Sequence, residues 1–261
     1  MPLSMLFLSI LFSAIIDTAY FANLAGYAYC NESVLIQNNC AHCSADFEYV
    51  KRVHVDGQNL VAVVMKNRTH YLLAFQGTRN LQDFLIDIQI LLVPLSKFPF
   101  YESELDKDYE QTAKVHLGFQ NGYKRLRKVL WEIMRHCHLP VVIVGHSMGA
   151  SLATIAAVDL SQSFSVQLIT AASPRTGNWA FVQLLQSRVP FIYRMTNVND
   201  LVPFLPGYFL GYRHTENEIW VNNEETVLCD KAEDPKCINS QWPHVGVKRH
   251  SYIGNTHIAY C

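Results

Sequence analysis

Residues Val141 to Ala153, Val-Val-Ile-Val-Gly-His-Ser-Met-Gly-Ala-Ser-Leu-Ala, constrain this chain more than any other stretch. A run of β-branched residues breaks at Gly-x-Ser-x-Gly and a run of small residues follows at once, the pattern of a strand, a sharp turn and a helix. Gly145 and Gly149 carry no Cβ, so strand and helix can crowd a turn that lifts its serine outward. Ser147 is the candidate nucleophile. The rival reading is an ordinary glycine-rich turn after a core strand; the flanking strand and helix patterns favour the elbow.

A chain of 261 residues that is half hydrophobic can bury the core of one α/β domain. Its formal net charge of -1, with both signs interspersed, leaves no basic stripe for a phosphate backbone and excludes nucleic acid as a partner. Met5 to Ile16 is an apolar run shorter than a membrane span and of the length of a secretory h-region. Residues 1–19 therefore read as a secretion leader, cleaved between Ala14 and Ala19, and residues 20–261 as the domain; a retained apolar helix is the alternative. Seven cysteines and the sequons at Asn31 and Asn67 fit the same oxidising, glycosylating route. Cys40-Ala-His-Cys43 could be half of a zinc site, but no second CxxC exists, so a disulfide is preferred and no metal is expected.

In chain order, Tyr20 to Cys30 has helical spacing, and Val61–Met65 with Tyr71–Phe75 reads as two strands at hairpin distance. Gln76-Gly77-Thr78 follows the second strand, where backbone N–H groups and a hydroxyl can face a cleft, as an oxyanion hole requires. From Leu81 to Val93, one helical face carries Leu81, Phe84, Leu85, Ile88, Leu91 and Leu92 before Pro94 ends the run. That stripe is either a core helix or a lid whose apolar face covers a site. Tyr101 to Gln111 is acidic and reads as a surface loop. Gly118 to Cys137 reads as an amphipathic helix with Lys124, Arg125, Arg127 and Lys128 in solvent and Cys137 buried as the unpaired thiol. Later strands at Val166–Thr170 and Phe191–Met195 alternate with helices, which implies a mostly parallel sheet.

A serine hydroxyl needs a histidine to take its proton and a carboxylate to fix that histidine, and after an elbow of this kind both lie downstream. Asp159 falls mid-helix and is expected to face solvent, while Asp230 and Asp234 lie in a polar loop between cysteines. Asp200 follows the Phe191 strand through a short turn, at the sheet edge where open α/β folds build sites. His214 and His146 suit structural roles. Spacing leaves His244, His250 and His257 open as the base.

With these residues in view, the chain from about residue 20 onward resembles the class 3 (fungal-type) lipases. The matching segments are Phe75-Gln-Gly-Thr78, Val115-His-Leu-Gly-Phe119, Gly145 to Ala153, Ala172 to Asn178, Asn199-Asp-Leu-Val-Pro203 with Pro206, and Tyr212 to Trp220, all in one order. The resemblance implies a single-domain α/β-hydrolase with a helical lid near Leu81–Val93. It further implies a triad of Ser147, Asp200 and His250, an oxyanion hole of Thr78 and the Met148 amide, and disulfides Cys30–Cys261, Cys40–Cys43 and Cys229–Cys237. Gln76 stands where the family has Arg, Ala150 where it has Gly, and Phe84 in place of an indole. His250 lies one residue closer to Tyr252 than is usual.

The expected activity is a secreted serine ester hydrolase cleaving acylglycerols at an oil–water or membrane interface through an acyl-enzyme. It calls for no cofactor and no obligate protein partner. A phospholipase A1, a feruloyl-type esterase and an inactive lipid-binding relative are the alternatives.

Overall fold

Between Val61 and Met65 every side chain is buried, yet successive ones go to opposite sides: Ala62 and Val64 join one apolar cluster, Val61, Val63 and Met65 another. Leu73 and Phe75 against Leu72 and Ala74, and Val141 and Ile143 against Val142 and Val144, divide the same way. A strand with both faces covered shows a continuous apolar run rather than an alternating one, which is how these segments read in sequence.

The computed structural model describes residues 17–55, 60–79, 90–96, 112–222 and 225–261. The first part holds α1 (Thr18–Gly26), a 3-10 turn (Tyr27–Tyr29), α2 (Glu32–Ile36), β1 (Glu48–Val55), β2 (Leu60–Lys66), β3 (Tyr71–Phe75), β4 (Leu92–Pro94) and β5 (Lys114–His116). Then follow α3 (Leu117–Met134), β6 (Val141–His146), α4 (Met148–Leu160), β7 (Val166–Ala171), β8 (Gly177–Asn178), α5 (Trp179–Arg188) and β9 (Phe191–Asn197). The last third is built from short pieces: β10 (Tyr212–Arg213), β11 (Glu218–Val221), β12 (Thr226–Cys229), β13 (Tyr252–Ile253) and β14 (Thr256–His257).

Among the described residues the main sheet runs β1-β2-β3-β6-β7-β9-β11-β12. Strands β3, β6, β7, β9 and β11 are parallel, and antiparallel strands close both edges. Helices α3, α4 and α5 cover one face and α1 the other. This is the expected mostly parallel α/β-hydrolase sheet, and its carboxyl edge delivers the ends of β3, β6 and β9 to one place. Each fully buried aliphatic side chain in these layers contributes roughly 1.5–3 kcal/mol.

Three sequence expectations change. Helix α1 starts at Thr18, capped by Asp17 through a 2.9 Å bond from the Tyr20 N–H, so a boundary after residue 19 falls inside it. Leu92 and Val93 form a strand rather than a helix end, because β4 pairs with Lys114–His116 and an edge strand tolerates Pro94. Leu91 is exposed, while Leu81, Phe84, Leu85 and Ile88 lie outside the described residues, as does the Tyr101–Gln111 segment.

The third change is Asp159, which is 1% exposed. Helix α4 is sandwiched between the sheet and α3 and has no solvent face, with every residue from Gly149 to Leu160 buried. On α3, Tyr123, Arg127 and Trp131 stand four residues apart and all donate to this carboxylate, at 2.6, 2.7 and 3.0 Å. Arg127 is thus withdrawn from the solvated basic run, while Lys124, Arg125 and Lys128 remain exposed. Disulfides join Cys30–Cys261, Cys40–Cys43 and Cys229–Cys237, and Cys137 is free and buried.

Candidate active site

Strand β6 runs straight into α4 with only Ser147 between them, held at φ 58°, ψ -131°, a conformation that L-residues rarely adopt. The close approach explains the glycines. A Cβ on Gly145 would stand 2.3 Å from the Gly149 carbonyl oxygen, and one on Gly149 would stand 2.3 Å from that of Phe75.

Two partners meet this serine. His250 Nε2 lies 2.8 Å from Ser147 Oγ, and His250 Nδ1 lies 3.0 Å from Asp200 Oδ2 and 3.1 Å from Oδ1. A carboxylate can only accept, so the proton sits on Nδ1 and leaves Nε2 to accept from the serine hydroxyl. All three side chains are buried. Asp200 Oδ1 also takes the Val202 N–H at 3.0 Å, which fixes the carboxylate just beyond the end of β9. His250 reaches the site because Asp200 bridges to Gly246 and the Leu201 N–H donates to the Gly246 carbonyl at 2.7 Å. His257 lies on β14, with its ring 4.6 Å from that of Tyr252, and His244 is exposed.

Gly77 ends the loop after β3 so close to the elbow that a Cβ there would lie 2.8 Å from Ser147 Cβ. Thr78 therefore follows directly at the nucleophile's side, and Met148, the first residue of α4, presents its amide from a helix N-terminus. These are the positions of the expected oxyanion donors.

Sequence reasoning missed what lies beneath. Tyr29 donates its hydroxyl hydrogen to His146 Nδ1 at 2.6 Å and accepts the Gly77 N–H at 3.1 Å. His146 Nε2–H in turn donates to the His250 carbonyl at 2.8 Å. Burial first, and the neighbouring His250 second, push the His146 pKa down to about 3, so the ring stays neutral with one nitrogen donating and the other accepting. The only sequence hint was a tyrosine next to Cys30. A second support lies under the Asp200 loop: Arg175 holds the Phe204 carbonyl at 2.6 Å and forks onto Glu233 at 2.8 and 2.7 Å. His214 donates to the Pro203 carbonyl at 2.7 Å, with burial and then Arg194 holding its pKa well below the usual range.

Two surfaces flank the triad. Ile90, Leu91, Tyr208, Phe209, Trp242 and Val247 are exposed apolar side chains, and Phe209 is 86% exposed. On the other side a cavity of about 450 Å³ is bounded by Thr78, His250 and His146 and opens past Arg79, Ser251 and His257.

This geometry has known counterparts. A family model described as Lipase (class 3) matches residues 72–210. The chain is 29% identical to the lipase of Rhizomucor miehei, over 91% of its own length and 68% of that protein's. It is 26% identical to the secreted mono- and diacylglycerol lipase 2 of Gibberella zeae, over 80% and 57%. It thus spans about three fifths of the length of such curated relatives. Lipase II from Rhizopus niveus has the same fold, with a TM-score of 0.79 at 23% identity, covering 94% of this chain and 98% of that one. A solved triacylglycerol lipase whose catalytic centre is a serine protease triad gives 0.75 at 26% identity, covering 92% and 94%. The family match runs from within β3 to just past the Asp200 loop, more than half of the chain, and contains the elbow between them: the chain belongs to the class 3 lipase family.

Proposed function

We propose that this protein hydrolyses carboxylic esters of acylglycerol type at a lipid–water interface, with Ser147 as nucleophile, His250 as base and Asp200 as its orienting carboxylate. The observation that carries the reading is the continuous hydrogen-bond line from Ser147 Oγ through both nitrogens of His250 to Asp200. As Oγ attacks the acyl carbonyl, its proton passes to Nε2 and Asp200 stabilises the imidazolium. The oxyanion meets the Thr78 hydroxyl and amide and the Met148 amide, where preorganised donors are worth most. Nε2 then gives the proton to the departing alcohol oxygen, and water repeats the attack on the acyl-enzyme.

Interfacial action is supported by the exposed apolar group around Phe209 and Leu91, larger than scattered surface residues explain. A lid formed by the segment from Leu81 belongs to the same reading. Export, with residues at the N-terminus serving as a leader, is supported by three disulfides and by relatives named as secreted lipases. The test is a fluorophosphonate probe followed by mass mapping: labelling at Ser147, abolished in Ser147→Ala and slowed in His250→Ala, is expected. An unlabelled but folded wild-type protein would remove the proposal.

A further inference from the structure

We propose that the cavity beside His250 receives the alcohol half of the substrate and selects one that carries a phosphate ester, with Arg79 as the specificity residue. This rests on the hydrolase reading above and narrows its substrate to glycerophospholipid acyl esters.

Geometry decides which half of the ester enters. The departing oxygen has to collect its proton from His250 Nε2, so the alcohol half lies on the imidazole side of the nucleophile. His250 and Thr78 are both walls of this cavity. None of the exposed apolar side chains Leu91, Phe209, Trp242 or Val247 lines it. Acyl chain and alcohol therefore have separate surfaces, one greasy and one polar.

Chemistry decides what the alcohol half carries. Facing the cavity are the Arg79 guanidinium, the His257 imidazole, the Asn31 amide and the hydroxyls of Thr78 and Ser251, and no lining side chain is a carboxylate. Arg79 is anchored by one Nη2–H to the Tyr29 carbonyl at 3.2 Å, and Arg52 holds the next carbonyl, that of Cys30, at 3.2 Å. Two guanidinium groups thus stand on consecutive carbonyls of the same wall. Burial and then the proximity of Arg79 disfavour the charge on Arg52, the signature of crowded positive charge. An anion relieves that crowding, and a planar fork of donors suits phosphate oxygens. At about 450 Å³ the space is that of an ordinary small-ligand pocket and admits a glycerophosphate head. A further hydrocarbon chain laid there would strand the amide, hydroxyl and guanidinium donors without partners.

The step balances without another reactant. The Ser147 Oγ–acyl bond forms as the acyl C–O bond to glycerol breaks, the serine proton reaches the glycerol oxygen through His250, and the phosphodiester is untouched. Water then releases the fatty acid.

The experiment measures fatty-acid release from dioleoylphosphatidylcholine and from dioleoylglycerol, each in uncharged detergent micelles. Phosphatidylcholine presents the phosphate without net charge, so general adsorption of basic residues does not enter. Expected is turnover of both lipids, with Arg79→Ala lowering kcat/KM on the phospholipid about tenfold more than on diacylglycerol and Arg79→Lys recovering part of the difference. Lys124→Ala, on the outer face of α3, should leave the ratio unchanged. Cleavage of diacylglycerol alone, or an Arg79→Ala ratio equal to wild type, overturns the inference and leaves the hydrolase reading standing. Inhibition by inorganic phosphate with no phospholipid cleavage assigns the cavity to a free anion and also overturns it. Turnover of neither lipid counts against the hydrolase reading itself, and the inference falls with it.

Discussion

The Tyr29 hydroxyl and His146 Nδ1 lie 2.6 Å apart although 117 residues separate them, and through this bond the loop after β3 is tied to the backbone of His250. The oxyanion side and the base side of the site thus share one buried polar link. Tyr29→Phe removes the donor to His146 and leaves the Gly77 N–H without its acceptor, a loss of about 1–3 kcal/mol for an unsatisfied buried group. Expected is a matching fall in the urea midpoint and a kcat reduced about tenfold with KM within about twofold. An unchanged kcat would mean that the link carries no alignment.

Stability should depend on pH through the same histidine. An unfolded chain protonates His146 near its ordinary value, while the folded ring resists down to about 3. The unfolded state therefore binds more protons between these values, and its relative free energy drops as pH falls. His116, lowered to about 4 by burial, adds in the same direction. Urea midpoints should be highest near neutrality and decline below pH 6, by on the order of 1 kcal/mol per pH unit for each such group. A stability maximum near pH 4 would contradict this assignment.

Asp200→Asn should leave the fold intact and cost about 10⁴-fold in kcat, because an amide can donate to Nδ1 and hold the ring in the wrong tautomer. Hydrolysis of a soluble short-chain ester reads this without interfacial complications. A loss under tenfold would point to another carboxylate.

Asp159 offers the opposite pattern, a carboxylate that matters for folding and not for chemistry. Asp159→Ala leaves Arg127 and the Tyr123 and Trp131 donors facing a buried gap, which costs about 3–5 kcal/mol. Thermal unfolding should move down by many degrees, with kcat of the surviving folded fraction near wild type.

Phe209 tests the interface. At 86% exposure its replacement by Asp should change stability by about 0.5 kcal/mol or less. Binding to emulsified substrate should weaken several-fold while hydrolysis of a dissolved ester holds. Equal loss on both substrates would place Phe209 in the site rather than on the docking surface.

How much of this was legible follows from where the information lies. The elbow could be read because strand, glycines and helix are contiguous, and Asp200 because a strand end is a local signal. His250 could not be separated from His244 and His257 by spacing, since its place is set by the Gly246 bridge in a loop-built region without periodicity. Asp159 misled because mid-helix position says nothing about whether a second helix covers that face. Leu92 and Val93 misled because a helical pattern there is outcompeted by pairing with Lys114–His116, residues a long way down the chain. Tyr29 was silent for the same reason: its partners are remote.

The Cys30–Cys261 disulfide spans 231 residues, so nearly all of the folded body is a closed covalent circuit. Loop-closure arithmetic puts the restriction on the unfolded chain at about 5 kcal/mol. A further result is topological. A protease that cuts once at the exposed turn around Arg135 opens the circuit but separates nothing, and the piece with Ser147 stays bonded to the piece with Tyr29. Nicked protein should run as one species until a reductant is added, so an enzyme released among proteases can be cut without coming apart.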